Sequence, residues 1–268
     1  MAQGRAEIKA LLEAHGLRPR RSLGQNFLAD PNLVDRIVRT AGIGPEDRVI
    51  EIGAGTGTLT TALAATGASV VAYEVDHKLI PILEEVLAGT GVELRCIDAT
   101  KADLAADLGY GPWTMVANLP YNVGTPLVLD VLRNVPAVHR LIVMVQREVA
   151  DRFVAGPGSR AYGVPSVVVS LHTHTEIAFT VPPSVFYPAP EVDSAVLFME
   201  RIAPSPRSEA AIDLAGIVFR QRRKMLRRSL SDICDDAAAI LHEAGIDATA
   251  RPEDLEPASF LRLAEVMA

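Results

Sequence analysis

Cysteine is almost missing from this chain of 268 residues: Cys96 and Cys234 stand far apart and match no metal-ligand spacing. That excludes a disulfide framework and a cysteine-based metal site, and it fits a reducing cytoplasm. No apolar run is long enough to span a bilayer. The first residues, MAQGRAEIKALLEAHGL, read as an amphipathic helix and not as a signal peptide. Basic charge is also short, with 26 Lys and Arg against 33 Asp and Glu, a net charge of -7. Such a balance argues against a nucleic-acid partner, except where the basic residues cluster.

The strongest signal is the stretch from Arg48 to Asp76, RVIEIGAGTGTLTTALAATGASVVAYEVD. It reads as a strand over 49–52, a glycine turn, a helix over 58–65, a buried strand over 69–73 and an acidic tip at Glu74. Alternating Gly53, Gly55 and Gly57 remove Cβ atoms where backbone must approach something closely. In a parallel sheet, ligands bind outside the carboxyl ends of strands, so this turn and Glu74 border one pocket. The nicotinamide fingerprint requires a sixth-position glycine, and Thr58 stands there instead. No lysine follows the glycines, which excludes a P-loop. A carboxylate at Glu74 suits a ribose diol, because it accepts two hydroxyl hydrogen bonds. The ExGxGxG pattern, with Glu51 leading, resembles the nucleotide-binding motif of S-adenosylmethionine-dependent methyltransferases.

Further strands are expected over 92–97, 114–117, 141–145, 176–181 and 194–199, with helices between the earlier ones. Asp30 and Pro31 open a helix that Gly42 closes. Phe27 and Leu28, in GQNFL, read locally as core anchors of a loop. The β-branched run over 164–171 reads as strand by propensity. Alternation followed by a hairpin predicts a doubly wound, Rossmann-like α/β sheet with an antiparallel edge. Beyond a proline/serine linker the pattern is helical, including one long helix over 214–233. The division is therefore a domain over 1–203 and a small all-α C-terminal domain over 204–268.

Asp98, at the end of a strand, suits either an acceptor for an adenine amino group or a helix cap. Asn118-Leu119-Pro120-Tyr121 ends another strand. Pro120 forces Leu119 into an extended conformation and so fixes its carbonyl beside the Asn118 side chain. Two acceptors there suit an exocyclic amine, and Tyr121 offers a face for a flipped base. Phe186, in VFYPAP, is either the opposite stacking face or an apolar anchor. Arg220, Arg223, Lys224 and Arg227 follow helical spacing, and on one helix they form a stripe for phosphates.

GQNFL, EIGAGTGTLT, the Glu74-Val75-Asp76 segment, NLPY, VPPSVFYPAPEVDSAV and FRQRRKMLRRSL occur together in this order. In this the chain resembles the KsgA family of small-subunit rRNA adenine dimethyltransferases over nearly its whole length. The resemblance implies a class I methyltransferase sheet, S-adenosylmethionine as cofactor, no metal, and cofactor contacts at Asn26, Leu28, Gly53, Glu74, Asp98 and Asn118. It implies two adjacent adenosines of the 3′-terminal hairpin of 16S rRNA, within an immature small subunit, as substrate. It also implies a helix over 164–171, against propensity. A monomer is expected. The rival expectations are a large-subunit rRNA methyltransferase conferring antibiotic resistance, whose members usually carry isoleucine in place of Leu119, and an assembly factor that works mainly by binding.

Overall fold

A computed structural model describes residues 2–268. In chain order the elements begin α1 (Arg5–Ala14), β1 (Phe27–Leu28), α2 (Pro31–Ala41), β2 (Arg48–Ile52), α3 (Thr58–Ala64) and β3 (Ser69–Glu74). There follow α4 (Ile80–Val86), β4 (Glu93–Cys96), α5 (Leu104–Leu108), β5 (Trp113–Asn118), α6 (Gly124–Asn134) and β6 (Val138–Gln146). Next come α7 (Arg147–Phe153), α8 (Val164–His172), β7 (Thr173–Val181), β8 (Phe186–Tyr187) and β9 (Ser194–Arg201). The chain ends with α9 (Ser208–Val218), α10 (Leu226–Leu230), α11 (Ala237–Glu243) and α12 (Pro257–Val266). Among the described residues no helix is long and apolar enough to cross a membrane.

The chain forms two compact units. The first holds the described residues up to Ala150 together with Glu176–Glu200; the second holds Asp151–Thr175 and Arg201–Ala268. The sequence division at 203/204 leaves residues 151–175 in the N-terminal domain, whereas the structure groups them with the C-terminal helices.

In the first unit β2, β3, β4, β5 and β6 run parallel, in a sheet ordered β4-β3-β2-β5-β6-β9-β7. β9 runs antiparallel to β6, which gives the antiparallel edge read from the sequence. Central strands β5 and β6 are buried on both faces, as parallel strands covered by helices must be, and read as continuous apolar runs. Strand order reverses between β2 and β5, so a crevice opens at their carboxyl ends. α2 forms where expected. Asp30 Oδ1 accepts from Asn32 N–H (2.9 Å) and Leu33 N–H (3.3 Å), and Gly42 closes the helix at φ 60°. Phe27 and Leu28 form a two-stranded ladder with Tyr187 and Phe186.

In the second unit two local readings give way. Residues 164–172 are helical, with Pro165 in the first turn, where its missing N–H costs nothing. This helix buries Val167, Val168 and Val169 and packs on α9 and α12. Tertiary burial here outweighs β propensity. The long helix expected over 214–233 is broken. Phe219–Gln221 is a 3₁₀ turn and Met225 is extended (φ -56°, ψ 137°), so Leu226 N–H reaches Ala250 carbonyl at 2.7 Å. The break lets Val218 and Leu226, both fully buried, face the core from different directions.

Phe219 stands between Tyr162 (centroids 5.7 Å, edge-on) and Phe260 (6.0 Å, tilted). Phe260 is fully buried. Phe260→Ala is expected to destabilise this unit by ~3–5 kcal/mol, the usual cost of emptying a buried aromatic site. Urea unfolding checks this, and a loss below ~1 kcal/mol contradicts the packing described.

Candidate active site

The polar residues singled out in the sequence collect at the carboxyl ends of β2 to β5. After β2 the chain turns at Gly53 (φ 85°), whose N–H donates to Tyr73 carbonyl at 2.8 Å. A Cβ on Gly53 would lie 3.7 Å from Pro120 Cδ and 3.8 Å from Asn118 carbonyl, filling the space between the two loops. At the end of β3, Glu74 accepts Gly55 N–H at Oε2 and Asp76 N–H at Oε1, both at 2.8 Å. Burial raises the Glu74 carboxyl above its ordinary range, and the two N–H bonds oppose the rise. Each oxygen keeps a second lone-pair site for a ligand hydroxyl.

Three adjoining hollows share Gly53. One is walled by Gln25, Asn26, Glu74, Asn118, Pro120 and Tyr121. A second, more apolar, is walled by Ile52, Val75, Ile97, Asp98, Pro120 and Val123. The third is walled by Phe27, Leu28, Glu51, Thr56, Thr58 and Asn118. Asp98 caps no helix, because α5 begins at Leu104 behind the Asp103 cap. It lines the second hollow, and it accepts from Thr100 N–H (3.1 Å) and Oγ1 (2.7 Å), bonds that hold its carboxyl below the usual range. A larger hollow, about 730 Å³, opens near Tyr110, Pro136 and His139 at the other end of the sheet, and it contains no acid.

Asn118 is oriented by its own amide. Nδ2 donates to Asn26 carbonyl at 3.0 Å, and no described group donates to Oδ1. Leu119 is buried, its N–H bonded to Met144 carbonyl at 3.1 Å, and its carbonyl receives no hydrogen bond from the described residues. Asn118, Leu119 and Pro120 line one hollow, and neither of these two oxygens accepts a hydrogen bond from the described residues. Tyr121 lines the same hollow, and its hydroxyl is 2.7 Å from Ser194 Oγ.

Two predicted residues do not join this site. Gly57 lines none of these hollows. A Cβ there would come 3.1 Å from Val86 Cγ1, so its glycine serves the packing of α3 on α4. Phe186 is fully buried in the core with Leu28, Val34 and Val196. It has no free face for a base, and of its two readings the structure supports the apolar anchor.

Residues 16–268 match the family described as ribosomal RNA adenine dimethylase. The chain belongs to that family. It is 43% identical to the ribosomal RNA small subunit methyltransferase A of Magnetococcus marinus, over 96% of this chain and 95% of that protein. The enzyme of the same name from Azorhizobium caulinodans is 44% identical, over 96% of this chain and 91% of that protein. Among solved structures, the 23S rRNA methyltransferase ErmE is 27% identical with a TM-score of 0.70, covering 90% of this chain and 99% of that one.

In this dimethylase the basic run does not lie along one helix, because the helix is broken within it. Arg220, Arg223, Lys224, Arg227 and Arg228 are nonetheless exposed, and none makes an ion pair or side-chain hydrogen bond with the described residues. Arg222 behaves differently. Its Nε donates to Glu253 Oε2 at 2.8 Å and its Nη1 to Arg160 carbonyl at 3.1 Å. It thereby holds exposed Arg160 beside Arg222, a residue that sequence spacing, 62 positions away, gave no reason to include.

Sequence reading gave Glu51 no role beyond leading the motif. It is 1% exposed and its Oε2 has no partner. Burial, with a smaller contribution from the Glu74 charge, pushes its carboxyl up to about 8. The native chain then holds a proton that the unfolded chain releases near the ordinary value of 4.5. Between these values the native state binds more protons, so stability falls as pH rises, by up to ~1.4 kcal/mol per pH unit. Urea midpoints at pH 5, 6.5 and 8 are expected to fall more steeply for wild type than for Glu51→Gln. Parallel profiles would remove Glu51 as a buried proton carrier.

Proposed function

We propose that this chain transfers two methyl groups to N6 of each of two adjacent adenosines in the 3′-terminal hairpin of 16S rRNA, acting as a cytoplasmic monomer on an immature small subunit. The observation that carries the reading is that Asn118 and Leu119, whose Oδ1 and carbonyl accept no hydrogen bond from the described residues, line one hollow with Tyr121. The choice of the small subunit is supported by 43% identity to a small-subunit methyltransferase, against 27% to a 23S enzyme.

S-adenosylmethionine fits the hollows. The cradle at Gly53 leaves room that a Cβ would fill, and Glu51, with its orphaned buried Oε2, helps wall the third hollow beside Thr56 and Thr58. Glu74 would hold the ribose hydroxyls, Asp98 the adenine amine, and the backbone around Asn26 and Leu28 the opposite wall. When bound, the cofactor supplies an electrophilic methyl group on a sulfonium.

Asn118 and the Leu119 carbonyl accept the two hydrogens of the adenosine amine. They draw the nitrogen towards tetrahedral geometry and aim its lone pair. Positive charge developing on that nitrogen meets oriented oxygens, as negative charge meets N–H groups in an oxyanion hole. No general base is needed for attack, because the amine carries its own lone pair. After each transfer the cationic nitrogen gives up a proton to solvent, so after the first a single hydrogen remains and one acceptor still orients it for the second. Tyr121 stacks on the flipped base, worth ~1–3 kcal/mol, and its bond to Ser194 fixes the ring.

Mass spectrometry of nucleosides from unmodified small subunits is the direct test. Wild type is expected to give dimethyladenosine, with Asn118→Ala depressed in both transfers. Monomethyladenosine as sole end product, or full activity of Asn118→Ala, overturns the mechanism.

Arg160, Arg220, Arg223, Lys224, Arg227 and Arg228 would contact phosphates. The double variant Arg223→Glu, Lys224→Glu is expected to bind small-subunit particles more weakly, with a shallower salt dependence and unchanged cofactor affinity. Equal binding at several salt concentrations would make this face plain solvated surface.

A further inference from the structure

The wall of the cofactor hollow formed by the N-terminal arm has little apolar anchorage. α1 is fixed by buried Ile8 and Leu12, and β1 by Phe27 and Leu28. Between them no residue from Glu13 to Asn26 is buried, and partly buried Leu17 is the one apolar side chain of that stretch packed on the Ile8–Leu12 cluster. Yet Leu23, Gln25 and Asn26 face Glu74 and Asn118 across the hollow. Polar links hold this arm: His15 Nε2 meets Glu85 Oε2 at 3.0 Å, the Asn26 carbonyl accepts from Asn118 Nδ2, and two further links, from Arg20 and Gln25, meet on one carboxylate.

Asp76 is 2% exposed. Its Oδ1 accepts Arg20 Nη1 at 3.0 Å and its Oδ2 accepts Gln25 Nε2 at 2.8 Å. Gln25 Oε1 in turn accepts Arg20 N–H at 2.8 Å, closing a ring of three residues. The charge-assisted bond to Arg20 is the stronger kind. Asp76 is itself positioned by the cofactor site, because its N–H donates to Glu74 Oε1. Neither Asp76 nor Arg20 lines any of the three hollows.

We propose that Asp76 is a positioning residue, which clamps the Arg20–Asn26 arm through Arg20 and Gln25 and so retains the bound cofactor. The proposal rests on the reading of the hollows as the S-adenosylmethionine site. Glu74 is the shared element: the carboxylate that would bind ribose also seats the backbone of the clamp. Losing the clamp frees the wall and speeds cofactor escape, while the methyl-accepting groups at Asn118 and Leu119 stay in place.

The test measures S-adenosylhomocysteine binding by calorimetry, together with tryptic cleavage after Arg21, for wild type, Asp76→Asn, Arg20→Ala and Arg20→Lys. Affinity is expected to fall tenfold or more in Asp76→Asn and Arg20→Ala, with faster cleavage that the ligand no longer suppresses. Arg20→Lys, which keeps the charge, is expected to recover most of the affinity. In steady state, KM for S-adenosylmethionine rises while kcat stays within about twofold. The Arg20 side chain is 42% exposed, so Arg20→Ala carries the test if Asp76→Asn does not fold. Unchanged affinity and cleavage in Arg20→Ala overturns the clamp alone, as does a lower kcat with KM unmoved. Failure of wild type to bind S-adenosylhomocysteine overturns the cofactor reading and the clamp with it.

Discussion

The Glu74 carboxylate ties together the segments on which the site depends. One oxygen fastens the glycine turn through Gly55, and the other fastens the start of the next loop through Asp76. A charged group 5% exposed is costly unless hydrogen-bonded, so these two N–H groups are a condition of the fold as well as of binding. The turn after β2 and the loop after β3 are thereby fixed relative to one another. The Asn118 amide adds the end of β5 to the same frame through Asn26. Parallel strand pairing aligns the three strand ends, and these few polar contacts set the loops between them.

Much of this was legible in the sequence because local rules and tertiary demands agree there. Asp30, Pro31 and Gly42 announce a helix by capping chemistry, and the apolar runs of β2, β3, β5 and β6 announce buried parallel strands. Glu74, Asp98 and Asn118 were picked out from their places at strand ends, and the structure brings all three to the walls of the hollows. The readings that gave way did so where packing overrode propensity. Val167, Val168 and Val169 are β-branched yet helical because all three are buried in that helix. The basic run obeys helical spacing yet breaks, because Leu226 N–H bonds Ala250 and Arg222 turns to Glu253. Gly57 shares the spacing of Gly53 and Gly55, but its freedom is used against Val86. The partners of Asp76, Arg20 and Gln25, lie more than 50 positions earlier and leave no local signal.

Net acidity and a phosphate-binding role are compatible because charge is local. Unpaired guanidinium and ammonium groups gather in one short segment, and screening at about 8–10 Å hides most distant acids from a bound phosphate. Arg222 is the exception that organises the rest, since its bond to Glu253 removes one positive charge while bringing Arg160 alongside.

The first unit is discontinuous along the chain, and that discontinuity orders its completion during synthesis. The glycine turn, Glu74 and Asn118 have all left the ribosome before Tyr121 can be fixed, because its partner Ser194 lies 73 positions later in β9. At ordinary elongation rates of about 5–20 residues per second, that interval is roughly 4 to 15 s. A chain halted early within it has made the glycine turn and Glu74 but lacks Ser194 and also Phe186 and Tyr187, the ladder partners of Leu28 and Phe27. The wall of the hollows and the seat of the aromatic ring are therefore completed within a few residues of each other, by the last strands of the unit.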